Sequence, residues 1–225
     1  MLKTGMTGIA AVAVTAGAAI AGGGDYGLLV QGGQVVTGIG DHTDQVITEI
    51  GERVFAADLA DNGTFWAAEE PGIFIQEGSL PDNTQVGFVI EAALLSWDGV
   101  GPVNFSLSPD AMTLEFGPNS VTTPAVDGDV TGFTINYDAD TVGGFDEHYD
   151  FLLDNTAATG IYVIQKRFTL SGFADSESTW TVFNAGLDEA THDAAIEWVE
   201  ANLVPAPGAM GLLALGGLAA TRRRR

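Results

Sequence analysis

Asp146, His148 and Asp150 are spaced two residues apart in Gly143-Gly-Phe-Asp-Glu-His-Tyr-Asp-Phe-Leu-Leu153. If Phe145 to Leu153 is one β-strand, these three share a face, and Phe145, Glu147, Tyr149 and Phe151 share the other. Two carboxylates around a neutral imidazole suit a divalent cation such as Zn²⁺ or Mn²⁺. One strand cannot supply four ligands, so a further group or a water must complete such a shell. The same alternation also describes an edge strand that shows its polar residues to solvent.

A second set of oxygens lies close by. Asp127, Asp129, Asp138 and Asp140 stand in turn-like sequence and could coordinate Ca²⁺ from sandwich loops. Asp138-Ala-Asp140-Thr-Val-Gly143 starts like an EF-hand loop, but Val142 replaces an oxygen ligand and Tyr149 the closing glutamate. Enzymatic chemistry has little to stand on, an uncharacterised hydrolase being the one alternative. His42 has no nucleophile-elbow serine to serve, His192 falls on the first turn of a helix where exposure is expected, and Glu69-Glu70 is merely an adjacent pair. No strand-to-helix glycine loop offers a phosphate cradle.

The elements that must hold these residues are short strands. Gly27–Gln31 and Gln34–Ile39 flank Gly32-Gly33, a tight hairpin signal; segments 52–57, 86–90, 103–107, 112–116 and 132–137 continue the series. The longest candidate, 160–170, is expected to pair with Trp180–Phe183 across the loop of Asp175 and Glu177. Many strands at roughly ten-residue spacing predict a mainly β fold, an antiparallel, immunoglobulin-like β-sandwich. One amphipathic helix is expected over 188–203, capped by Asp188 or Thr191, docking on the sandwich or serving as a stalk.

Composition narrows the partners. Between Gly22 and Leu203 only Arg53, Lys166 and Arg167 stand against all 30 acids. A surface this negative repels nucleic acid and favours cations, and it also suits a saline habitat. The chain has no cysteine, which excludes disulfide scaffolds and thiolate zinc sites.

Both ends read as addresses. Lys3 precedes the apolar run 9–20, and Ala19-Ile-Ala21 has the small-x-small form that signal peptidase accepts, so residues 1–21 are expected to be a helical signal peptide removed before Gly22. At the other end Val204-Pro205-Ala206-Pro207-Gly208-Ala209 leads into an apolar helix ending in four arginines. Residues 209–220 would span roughly 18 Å as a helix, short of a hydrocarbon core of roughly 30 Å. The arginines would stay cytoplasmic and leave the rest outside.

This tail, residues 204–225, resembles the PEP-CTERM sorting signals read by exosortases, with Pro-Ala-Pro where Pro-Glu-Pro is usual. That resemblance implies transient membrane anchoring, processing by an exosortase-like enzyme and display at a cell surface or in polysaccharide matrix. Residues 146–162 resemble surface-anchored domains of actinobacteria and related PEP-CTERM proteins, which carry a His-x-His-x-(Asn/Asp)-aromatic motif followed by Pro-Gly-x-Tyr. His148, Asp150, Phe151, Gly160 and Tyr162 match that pattern, while Asp146 replaces the first histidine and Thr159 the proline. This second resemblance implies a metal-linked role. The expectation is therefore an exported, non-catalytic structural or adhesive domain over 22–187. The alternatives are an extracellular metal binder using Asp146, His148 and Asp150, or a carbohydrate-binding module presenting Trp66 or Trp97.

Overall fold

A computed structural model describes residues 24–205. The signal peptide with Ala19 and Ala21, and the C-terminal tail from Ala206 through Pro207, Gly208 and Ala209, lie outside the described residues.

Among the described residues, seventeen strands and one helix follow in order. They are β1 (Asp25–Gln31), β2 (Gln34–Asp41), β3 (Val46–Thr48), β4 (Val54–Asp58), β5 (Ala60–Asp61), β6 (Phe65–Ala68), β7 (Ile73–Ile75), β8 (Gln85–Ile90) and β9 (Leu95–Trp97). Then come β10 (Ser106–Leu107), β11 (Met112–Phe116), β12 (Asn119–Thr122), β13 (Val130–Asn136), β14 (Phe145–Glu147), β15 (Asp150–Asp154), β16 (Gly160–Leu170), β17 (Thr179–Ala185) and α1 (Glu189–Asn202).

The described residues are mainly β, in three sheets. The first has the order β14-β7-β1-β2-β3 and the third β12-β11-β15-β6-β5. The second is built on β16, whose one edge pairs β17 while the other pairs β9 in its first half and β8 in its second. β13 extends it beyond β8, and β4 beyond β17. The β1–β2 hairpin turns through Gly32 and Gly33, with φ of 60° and 85°, a left-handed pair that residues with a Cβ adopt reluctantly.

The sheets are not wholly antiparallel as expected, because β1 runs parallel to β7 and β17 parallel to β4. Alternation along a strand reports which face is buried, not which neighbour it pairs with or in which direction. All three sheets share one core, to which the first gives Tyr26, Leu28 and Phe145, the second Phe88, Ile164, Phe168 and Phe183, and the third Met112, Leu114, Phe151 and Leu153.

β16 and β17 are buried on both faces. Tyr162, Ile164 and Phe168 enter the shared core, while Ile161, Val163, Trp180 and Val182 pack under α1 against Ala195, Ile196 and Val199. The helix therefore docks on the second sheet. Asp188 caps it, its carboxylate accepting the Thr191 N–H at 3.0 Å. His192, expected at the surface, is only 1 % exposed and hydrogen-bonded through Nε2 to the Val182 carbonyl at 3.0 Å, because its first-turn position faces the sheet.

Residues 145–153 do not form the single strand their alternation predicts. The chain leaves the first sheet after Glu147 and joins the third at Asp150, crossing through His148 and Tyr149. Tyr149 pins this crossing: its ring stacks on Phe88 and lies 5.0 Å from Phe151, and its hydroxyl accepts a hydrogen bond from Lys166 Nζ at 2.7 Å. In-out parity survives the break, since Phe145, Tyr149, Phe151 and Leu153 are all buried. Strand continuity does not.

Candidate functional site

At one end of the first sheet, strand ends bring together side chains distant in sequence. Asp25 opens β1, Glu70 and Gly72 lie just before β7, Asp146 sits within β14, His148 follows it, and His42 lies in the turn after β2. Since β14, β7, β1 and β2 are adjacent, their termini converge there.

One ligand atom each from Asp25, Glu70 and His148 lies within 4.8 Å of the others, and the same holds for Asp25, His42 and Asp146. His148 Nδ1 is 3.6 Å from Glu70 Oε1, and its Nε2 is 3.2 Å from Asp146 Oδ1. His42 Nδ1 is 3.6 Å from Asp25 Oδ2. The side chain of Asp25 is 3 % exposed, and its Oδ1 accepts the Gly72 N–H at 2.8 Å. A Cβ on Gly72 would stand 2.8 Å from the His148 ring and 2.9 Å from Asp25 Oδ1, so the missing side chain lets the backbone approach both groups. Beside the cluster a cleft of about 680 Å³ is lined by Asp25, His42, Glu70, Asp58 and the β2–β3 turn.

Among the described residues no fixed positive charge balances these acids. Arg53 pairs with Glu177 at 2.7 Å, Arg167 binds Glu91, Asp129 and Asp175, and Lys166 is enclosed by aromatic rings in the core. Those three are all the lysines and arginines among the described residues.

The cluster instead manages its charge with protons. Burial, then the hydrogen bond and repulsion from the Glu70 carboxyl, push the Asp25 carboxyl up to about 6. Burial works against a charged His148, but the carboxylates of Glu70, Asp25 and Asp146 outweigh it and raise its pKa. Both His148 ring nitrogens face oxygens, Nδ1 also approaching the Glu69 carbonyl at 3.3 Å. A divalent cation would replace these protons and satisfy the same carboxylates. Were Nδ1 to take a cation, Nε2–H would donate to Asp146, as in a carboxylate–histidine–metal arrangement, which fixes ring orientation.

Of the sequence-derived set, Asp146 and His148 belong to this cluster. Asp150 does not, because it lies on β15 in the third sheet, exposed and opposite Glu115. The calcium set is also divided. Asp127 and Asp129 precede β13 and Asp138 and Asp140 follow it, at opposite ends of a seven-residue strand roughly 20 Å long. Asp129 is taken by Arg167 at 2.8 Å, Asp127 accepts the Ala93 N–H, and Asp138 accepts the Asp140 N–H.

Trp97, weighed as an exposed sugar platform, is 7 % exposed and packs against Phe105; Trp66 is half-buried against the shared core. The sorting motif's described part, Val204-Pro205, follows α1, with Val204 packed on the helix-covered core.

Sequence reasoning did not single out Asp25, Glu70 or Gly72 as ligand or cradle residues. A signal existed for Asp25, an acid at the start of the apolar run Tyr26-Gly-Leu-Leu-Val30 with no cation nearby in sequence. No family model matches the chain, and no curated protein matches it.

Proposed function

We propose that this chain is an exported, surface- or matrix-associated β-sandwich protein without catalytic activity, whose described domain binds a divalent cation through Asp25, Glu70 and His148. One observation carries the reading: a buried aspartate, a glutamate and an imidazole from three separate strand ends converge within 4.8 Å, with no lysine or arginine among the described residues left to neutralise them. Mixed nitrogen and oxygen donors favour Zn²⁺ or Mn²⁺ over Ca²⁺, which takes oxygen ligands alone. Holding three strand ends of the first sheet through one ion would stiffen a domain that has no disulfide. That suits a structural or adhesive role outside the cell. Export and exosortase-type processing rest on the two terminal segments read from the sequence, and extracellular polysaccharide is the surrounding those signals suggest.

The test is calorimetric titration of the purified, chelator-stripped full-length protein with Zn²⁺, Mn²⁺ and Ca²⁺. Micromolar or tighter Zn²⁺ or Mn²⁺ binding that disappears in His148→Ala supports the reading; heats identical in the two proteins sink it. Mass analysis of the protein recovered from its host checks the export reading, with an N-terminus at Gly22 and loss of the arginine tail expected.

A further inference from the structure

We propose that the site holds two divalent ions bridged by the Asp25 carboxylate, Glu70 and His148 completing one and His42 and Asp146 the other. This deepens the single-ion reading above and rests on it.

The two ligand triples share Asp25 and no other residue. Asp25 presents its oxygens in different directions: Oδ1 lies toward Gly72, whose N–H it accepts at 2.8 Å, and Oδ2 lies 3.6 Å from His42 Nδ1. A carboxylate placed this way can bridge ions roughly 3.5–4 Å apart, the spacing of two-metal centres. His148 divides the remaining ligands in the same sense, its Nδ1 toward Glu70 at 3.6 Å and its Nε2 toward Asp146 Oδ1 at 3.2 Å. The second Asp146 oxygen is then free to serve the His42 ion.

His42 is held for this role by its turn. Asp41 Oδ1 accepts the N–H groups of Thr43 and Asp44 at 2.8 and 3.0 Å, and Gln45 Nε2 donates to the His42 carbonyl at 2.6 Å. The imidazole is thereby kept above Asp25 although its side chain is 59 % exposed.

Charge favours the second ion. Asp25, Glu70 and Asp146 contribute three negative charges when ionised, so one divalent ion leaves the centre negative and a second makes it positive. Among the described residues no lysine or arginine competes, since Arg53, Lys166 and Arg167 are engaged elsewhere. The positive centre would face the cleft of about 680 Å³ that Asp25, His42 and Glu70 help to line. Coordination positions left open on that side would be filled by water, since Asp41, Glu49 and Asp58 also line the cleft.

The experiment measures bound metal in stripped full-length protein equilibrated with Mn²⁺ or Zn²⁺, alongside His42→Ala. Two equivalents in the parent protein and one in the variant are expected, with the remaining ion bound as tightly as the parent's first. Mn²⁺ electron paramagnetic resonance should show a spin-coupled pair in the parent and an isolated ion in the variant. One equivalent in both proteins overturns the two-ion centre and leaves the single-ion reading standing. No bound metal in either overturns both. A variant that keeps both ions, or loses both, also defeats the assignment of His42.

Discussion

Asp25 and Lys166 are both buried ionisable groups without a fixed partner of opposite charge, yet the fold surrounds them in opposite ways. Asp25 lies at a strand end, bordered by Glu70, His148 and His42, with a cleft beside it. Lys166 is the seventh residue of β16, its ammonium nitrogen 3.9 Å from the centre of the Tyr26 ring and within about 6 Å of the Phe88, Tyr149, Phe151 and Phe168 ring centres. Burial alone pushes its pKa well below the usual lysine value. Asp25 and Tyr26 are consecutive, so β1's alternation sends one into the polar cluster and the other under Lys166. A charge beside a cleft can recruit a counter-ion; a charge sealed among aromatic rings can only shed its proton or lean on their faces.

The largest effect that would break this contrast lies on the sealed side. Phe151→Ala removes a ring from around Lys166 and should cost about 3–5 kcal/mol of stability, read from the denaturant midpoint. His148→Ala should shift the metal-free midpoint far less, and only at pH values where the imidazole is protonated; equal losses in the two variants would erase the distinction. On the open side, His148→Ala should weaken Zn²⁺ binding more than the roughly 10–100-fold that loss of an outer-shell partner costs, as measured calorimetrically.

Next in size is the pH response of Lys166. Its folded pKa lies below its unfolded one, so the unfolded chain binds the extra proton, and stability rises with pH between the two values. Below the folded pKa the burial penalty is fully present. The rise, at most about 1.4 kcal/mol per pH unit, should disappear in Lys166→Met, which should also be more stable near neutrality. A parent protein whose stability stays flat up to pH 10 would show that Lys166 keeps its charge. The smallest expected effect is none: Asp150→Ala should leave metal affinity unchanged, and a clear loss would return Asp150 to the site.

Much of the strand pattern was legible in the sequence. The Gly32-Gly33 hairpin, the pairing of 160–170 with Trp180–Phe183, and the Asp188 cap all rest on local chemistry, namely left-handed glycines, period-two burial and a side-chain oxygen three residues before a free N–H. His148 and Asp146 were legible as ligand types, because an imidazole between carboxylates two residues apart is readable in one dimension. Glu70 and Asp25 were not, since nothing near them in sequence links them to residue 148. The common face of Phe145 and Phe151 is legible in the alternation, while the break at His148-Tyr149 is not, because a side chain's inward direction is the same whether the strand continues or changes sheet. Lys166 lies inward for the same reason as Phe168, two residues on, although it carries an amine.

By itself, the sequence determined the β-rich character, the face each strand residue takes and the excess of acid over base, all set by residue type and spacing of two. Which strand ends meet, and hence that Asp25, Glu70 and His148 share one site while Asp150 stands apart, was decided only by tertiary structure. Sheet order depends on how whole hydrophobic faces are buried against one another, a sum over many distant residues that no local run of the chain encodes.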